Sequence, residues 1–472
     1  MRPLSLRVHL RTLLFACAAV LGTVAMTTAV LFAGAGGLST DNFGWIALTS
    51  IAAIAPLAFL AGPWSATGAY AAVFWCFHFG LVTVIGLGLV DPQTMSRWDQ
   101  AWALGPFAGD AALVALLGSL GFVSGVSFVH AWWYSTAPRP VPARAEGAHS
   151  HGTAGAAMVV AAAAVWCAVV WNTMGPAGFF ASYMDYLQAT ADYAPVMSAV
   201  WLGLGLGIVL AVTGRPGAVR TTAVVVFAAF ALVALPIGLR GEIMFPSIGA
   251  FVASARCGRM VSWRKAGALA AGLLLLIPAI REIRTTGLQG LSDTVLELRF
   301  FDAFVEMGGS LHPVEKVVRW HAEGEPLEQG GSYWAPIERA AARFLPDLVG
   351  TAAEDDMRIM NVLVIERVGA IGFSPVAEAY RNFGAPGAVI VLALFGAALA
   401  GLDKVRDPRA AVLLIATVYV PVLMNVRNSF ISVPAHFAAG VVVILLLGAM
   451  RHVSGSVLCR PYARAPYVRS KV

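Results

Sequence analysis

Residues 107–132 read FAGDAALVALLGSLGFVSGVSFVHAW. Across these 26 positions the only Asp, Glu, Lys or Arg is Asp110. A helix needs about 20 mostly apolar residues to cross the hydrocarbon core of a bilayer. This stretch meets that length, and nothing in it ends a helix. Similar runs lie on both sides, at about 12–34, 45–62, 67–90, 156–174, 197–213, 221–238, 243–256, 266–280, 385–402, 410–426 and 430–450. The run at 243–256 is short and reads as tilted, re-entrant or buried among neighbours. Residues 177–196 mix aromatics with Asp185 and Asp192 and read as an interfacial helix. The reading is an all-α polytopic membrane bundle of about twelve spans. One large extracytoplasmic, mostly helical loop interrupts it.

Composition agrees. Of 472 residues, 58% are apolar and 12% are charged. A soluble domain carries roughly 25% charged residues, so a cytosolic enzyme and a disordered chain are excluded. The five cysteines, Cys17, Cys76, Cys167, Cys257 and Cys459, have neither CxxC nor metal-ligand spacing. No disulfide framework, metal or other cofactor is called for. The first run ends in Ala33-Gly34-Ala35, which resembles a cleavage site, but its length favours a retained anchor.

The net charge of +6 is unevenly placed. With the N-terminus inside, alternate connections collect 19 of the 32 Lys and Arg. The positive-inside bias then puts both termini in the cytoplasm. The chain divides into an N-terminal membrane region (1–281, about nine spans), an extracytoplasmic loop (282–383), a C-terminal membrane region (384–450, about three spans) and a basic tail (451–472). The loop holds 16 of the 26 Asp and Glu.

Arg240, Arg281, Arg284 and Arg427 lie on the outer side, hard against span ends, where the charge rule disfavours them. A guanidinium offers a planar, permanently charged fork that fits phosphate. Several of them at one membrane face suit a lipid-linked pyrophosphate. Each alone could equally snorkel to headgroups or pair with a nearby Glu. Glu242 follows Arg240 within GLRGEIMFP. In the loop, LSDTVLELRFFDAFVEMGGS starts at a Ser292 cap, and Glu306 and His312 flank Gly308-Gly309. Tyr333 and Trp334 follow a Gly-Gly turn, where aromatic faces hold a sugar ring or sit at the interface. Ser332 beside them reads as an accessible loop position.

The last loop segment, IERVGAIGFSPVAEAYRNFGAPGAV, ends at the span 385–402. Ser374 is the expected N-cap, with Pro375 at the first helical position. Glu378 and Arg381 then share a helix face. A carboxylate beside an arginine at a membrane face suits a general base near phosphate, or forms a plain surface ion pair.

The GFSPVAEAYRNFG stretch running into a span, the outward Arg-Gly-Glu at 240–242 and the large outer loop resemble the Wzy family of O-antigen and capsular polysaccharide polymerases. The likeness covers about 236–430; the first 200 residues match only in being hydrophobic. It implies a membrane glycosyltransferase of the GT-C type in the cytoplasmic (inner) membrane. Such an enzyme links undecaprenyl-pyrophosphate oligosaccharide units on the outer face without a metal. By that likeness Arg240, Arg281, Arg284 and Arg427 hold the pyrophosphate, joined by Arg381. By the same likeness Glu378 belongs to the catalytic loop; it is the first choice for the general base, followed by Glu306, His312 and Glu242. Tyr333, Trp334 and Tyr380 contact sugar. The implied partners are the lipid-linked substrate, membrane lipids, a flippase and a chain-length regulator, and no nucleic acid. A ligase drawing on the same donor and a lipid-linked oligosaccharide transporter are the alternatives.

Overall fold

The computed structural model describes residues 39–90, 100–136, 151–259, 301–342, 355–369 and 371–458, with scattered single positions in 20–28 and 262–280. All regular structure among them is helical. The first half holds α1 (Phe43–Leu60), α2 (Ala66–Gly86), α3 (Ala108–Thr136), α4 (Gly152–Met174), α5 (Tyr183–Ala189), α6 (Ala194–Thr213), α7 (Ala218–Ile237) and α8 (Gly241–Arg256). The loop contributes α9 (Asp302–Met307), α10 (His312–Ala322), α11 (Gly331–Ala342) and α12 (Met360–Arg367). The chain returns through α13 (Pro375–Lys404), α14 (Pro408–Leu414), α15 (Val420–Met424) and α16 (Ser432–Leu458).

Among the described residues, six helices are long and apolar enough to cross a membrane: Ala66–Gly86, Ala108–Trp132, Gly152–Met174, Ala191–Thr213, Ala218–Ile237 and Pro375–Lys404. The difference from about twelve spans has identifiable sources. Most of the runs at 12–34 and 266–280 lies outside the described residues, as do Ser292 and most of the basic tail. The run at 410–426 is broken: α14 passes through a π-turn at Ile415–Tyr419 into α15, which starts beside Pro421. α8 has 16 residues and packs against α6 and α15. The expected interfacial helix at 177–196 is α5 between two 3-10 turns, and its last residues open α6.

Among the described residues the core forms two large apolar clusters and two small ones. One large cluster joins α1–α3 to α13, α15 and parts of α10 and α12. The other large one joins α4, α6 and α7. α6 and α8 serve both, with Leu206 and Phe245 in the first and Leu204 and Ile243 in the second. The closest crossing is α3 against α13. A β-carbon added at Gly121 would lie 2.0 Å from the Val389 carbonyl oxygen, so the backbones touch. Within lipid, small residues allow this approach and dispersion holds it. Leu232, Ile390, Leu394 and Leu445 point outward, as a lipid-facing surface requires.

The two ends of the bundle differ. At one end, the Arg259 guanidinium donates to the carbonyls of Val212 (2.6 Å) and Gly214 (3.0 Å) at the C-terminus of α6. Arg256 donates to the Asp403 and Val405 carbonyls at the end of α13. The Asp403 carboxylate accepts from the Ala66 and Thr67 amides at the start of α2. Cations at helix C-termini and an anion at an N-terminus complement the helix dipoles. The other end carries α9–α12. Phe304 lies against Gly80, and the Gly308 backbone against Leu81.

Candidate active site

α13 starts as its sequence requires. Ser374 is extended at φ −154°, and its hydroxyl accepts from the Ala377 amide at 3.1 Å, with Pro375 next. At Gly384 the backbone turns to φ +66°, ψ −158°, a conformation that costs little only without a β-carbon. The kink separates a polar leg, 375–383, from the apolar leg beyond.

The polar leg is latched to the loop. Arg381, 6% exposed, donates to Glu325 (2.8 Å) and Glu328 (2.9 Å). The ion pair drawn from sequence spacing, Arg381 with Glu378, is replaced by these two partners from the preceding loop. Main-chain bonds from Glu328 to the Arg381 carbonyl and from Gln329 to the Asn382 carbonyl reinforce the latch. Arg367 also reaches Glu325. Burial alone would raise the Glu325 carboxyl, but the Arg367 and Arg381 hydrogen bonds outweigh it and the net shift is downward.

Glu378 is 1% exposed, and both its oxygens are engaged. Oε1 accepts from the Ser332 hydroxyl at 2.8 Å. Oε2 accepts from the Phe430 amide at 2.6 Å. Asn382, one turn on, donates to Ser332 Oγ and to the Glu378 carbonyl, both at 2.7 Å. Ser332 is therefore buried, not the accessible position read from the sequence. Asn382 and Phe430 escaped the sequence reading. The i, i+4 spacing of Glu378 and Asn382 is the signal for the first; nothing local marks the second.

Arg427 sits in the turn between α15 and α16. Its carbonyl accepts from the Phe373 amide at 3.1 Å. Arg240, at the start of α8, donates to Glu306 Oε1 at 2.6 Å, and both side chains are largely buried. Two residues expected in separate roles are thus one pair. Glu242, in the first turn of α8, lines an apolar cleft with Trp201, Pro246, Pro421, Met424 and His436. The His312 ring stacks on Trp102 at 4.6 Å. Burial, then Lys316 and Arg319, push His312 down to about 3, so it is neutral at physiological pH.

The aromatic candidates separate. Tyr333 is packed between Phe383 and Phe430, and burial, then Glu378, raise its hydroxyl well above the usual range. Tyr380 is half-buried, edge-on to His321. Trp334 is 56% exposed. Arg281 and Arg284 lie outside the described residues. Among the described residues no three His, Cys, Asp or Glu side chains converge on one point.

Arg240, Glu306, His312, Glu378, Arg381 and Arg427 therefore share one end of the bundle, opposite Arg256, Arg259 and Lys404. The chain is a helical membrane protein with a charged, partly enclosed site at one end of its apolar helices. It belongs to the O-antigen polysaccharide polymerase Wzy family, whose sequence profile matches residues 148–452. It is also similar to Protein CapE of Staphylococcus aureus, 26% identical over 256 residues. That match covers 54% of this chain and 56% of the relative. No solved structure matches it.

Proposed function

We propose that this chain joins lipid-pyrophosphate-linked oligosaccharide units into a polysaccharide at the outer face of the cytoplasmic membrane. Both termini are cytoplasmic in this reading. One observation carries it: Arg240, Glu306 and Arg427 gather at the loop-bearing end of the bundle, where a headgroup embedded by its lipid tail would present its phosphates. Family membership supplies the class of reaction.

The chemistry is a displacement at the anomeric carbon of the donor. A hydroxyl of the acceptor unit forms the new C–O bond as the bond from the sugar to phosphate breaks. The lipid diphosphate leaves with the electron pair. Arg240 and Arg427, with Arg281 and Arg284, neutralise charge growing on that leaving group, which is transition-state electrostatic stabilisation. Diphosphate bound at Arg240 competes with Glu306 for the guanidinium. Glu306, its bond to Arg240 given up, accepts the acceptor hydroxyl's proton. His312 is the weaker candidate, because a base works best with a pKa near the operating pH. Trp334, exposed beside the site, offers a sugar-stacking face.

Complementing a strain deleted for this gene with the wild-type chain or with Arg427→Ala tests the reading. The wild type restores long polymer, and the variant leaves single lipid-linked units. Long polymer that forms on its carrier but never reaches its final acceptor would make the chain a ligase instead.

A further inference from the structure

We infer that Glu378 is a positioning residue that fixes the Arg427 turn, not the group that takes a proton from substrate. The inference rests on the reading above that Arg427 helps hold the diphosphate. The turn 425–431 is held at two points on either side of that side chain. Before it, the Arg427 carbonyl accepts from the Phe373 amide. After it, the Phe430 amide donates to Glu378 Oε2. Phe373 and Glu378 flank the Ser374 cap of α13, so one rigid helix start carries both anchors. The Phe430 ring meets Tyr333 edge-on at 5.2 Å, and Tyr333 adjoins Ser332, the partner of the other Glu378 oxygen.

The carboxylate is thus the knot joining α11, α13 and the turn. Ser374 and Asn382 are fully buried beside it, and Ser332 nearly so. A proton acceptor must have an oxygen within hydrogen-bond reach of the substrate hydroxyl. Both Glu378 oxygens are already taken by groups that also build the site. A glutamine at this position keeps the length and both contacts: its oxygen would accept from the Phe430 amide, and its amide would donate to Ser332 Oγ. The Ser332 hydroxyl, which also accepts from Asn382, would then turn its proton away from residue 378.

The test uses membranes from the deletion strain, which hold the native lipid-linked units, mixed with purified full-length protein. Initial polymerisation rates give kcat and KM, and inorganic pyrophosphate serves as a competing probe of the arginine site. Glu378→Gln should recover most of the wild-type rate and pyrophosphate sensitivity. Glu378→Ala should lose about 100-fold, the scale of an ångström-level misplacement. The loss should fall on KM as well as kcat, since the turn meets diphosphate in both the bound and the reacting state, and pyrophosphate should inhibit it less. Combining Glu378→Ala with Arg427→Ala should cost little beyond Arg427→Ala alone, since coupled residues are non-additive. If Glu378→Ala does not accumulate, Asn382→Ala replaces it, with a smaller loss of the same pattern. A Glu378→Gln variant that binds pyrophosphate like wild type but has lost kcat would overturn the inference. A wild-type chain making no polymer while still binding pyrophosphate would instead overturn the functional reading.

Discussion

Arg240 and Arg381 show how far one residue's meaning depends on its partners. Both are arginines at a span end, and spacing gives them the same candidate role. Arg381 is held by Glu325, Glu328 and the face of Trp320, so its charge is spent on structure. Among the described residues Arg240 has one carboxylate partner, Glu306, where Arg381 has two. Arg240 is the better anion ligand of the two. Arg240→Lys should therefore lose most polymerisation while the protein accumulates normally, because an ammonium cannot supply the fork. Rates and membrane protein levels measured together check this, and a fully active lysine variant would count against anion clamping. The cap Ser374-Pro375 was legible in the sequence because every group involved lies within one turn. The partners of Arg381 were not, because they lie 56 and 53 positions away.

At the scale of elements, the polar leg of α13 is the hub. It joins α11, α12 and the turn before α16, and carboxylates make most of the joints. Glu325 binds Arg367 and Arg381; Asp356 binds Arg339 and Arg358. For Asp356, burial pushes up, but the Arg358 and Arg339 hydrogen bonds prevail and its carboxyl sits below the usual range. A carboxyl depressed in the folded state adds stability above its ordinary pKa and loses it as the pH falls through the folded value. Hydrogen-exchange protection of 355–369 should therefore hold from about pH 8 to 5 and fall below about 4. Glu325→Gln should lower protection at neutral pH and flatten that fall. Unchanged protection down to pH 3 would show that these ion pairs do not hold the loop. Apolar periodicity alone could not reveal the hub. It also missed the π-turn at Ile415–Tyr419, because hydropathy reads a broken helix and a straight one alike.

The whole molecule is organised by its two ends. Helix-capping charges such as Arg259 and Asp403 gather at one, and the loop with the candidate site at the other. The charge asymmetry of the sequence anticipated this division, because lipid tolerates charge only at the ends of spans. Which end faces outward is a separate matter, and labelling decides it. Glu323, exposed in the turn after α10, is the suitable probe. With the native cysteines replaced, Glu323→Cys should react with an impermeant maleimide in intact cells whose outer barrier has been opened. Reaction only after the cytoplasmic membrane is broken would invert the topology.

The most direct measurement counts products. Each glycosidic bond made by the proposed reaction releases one lipid diphosphate. Purified wild-type protein in vesicles holding lipid-linked units should form longer glycans and liberate carrier diphosphate in equal number. Carrier release without glycan growth, or movement of units between leaflets with neither, would contradict the account.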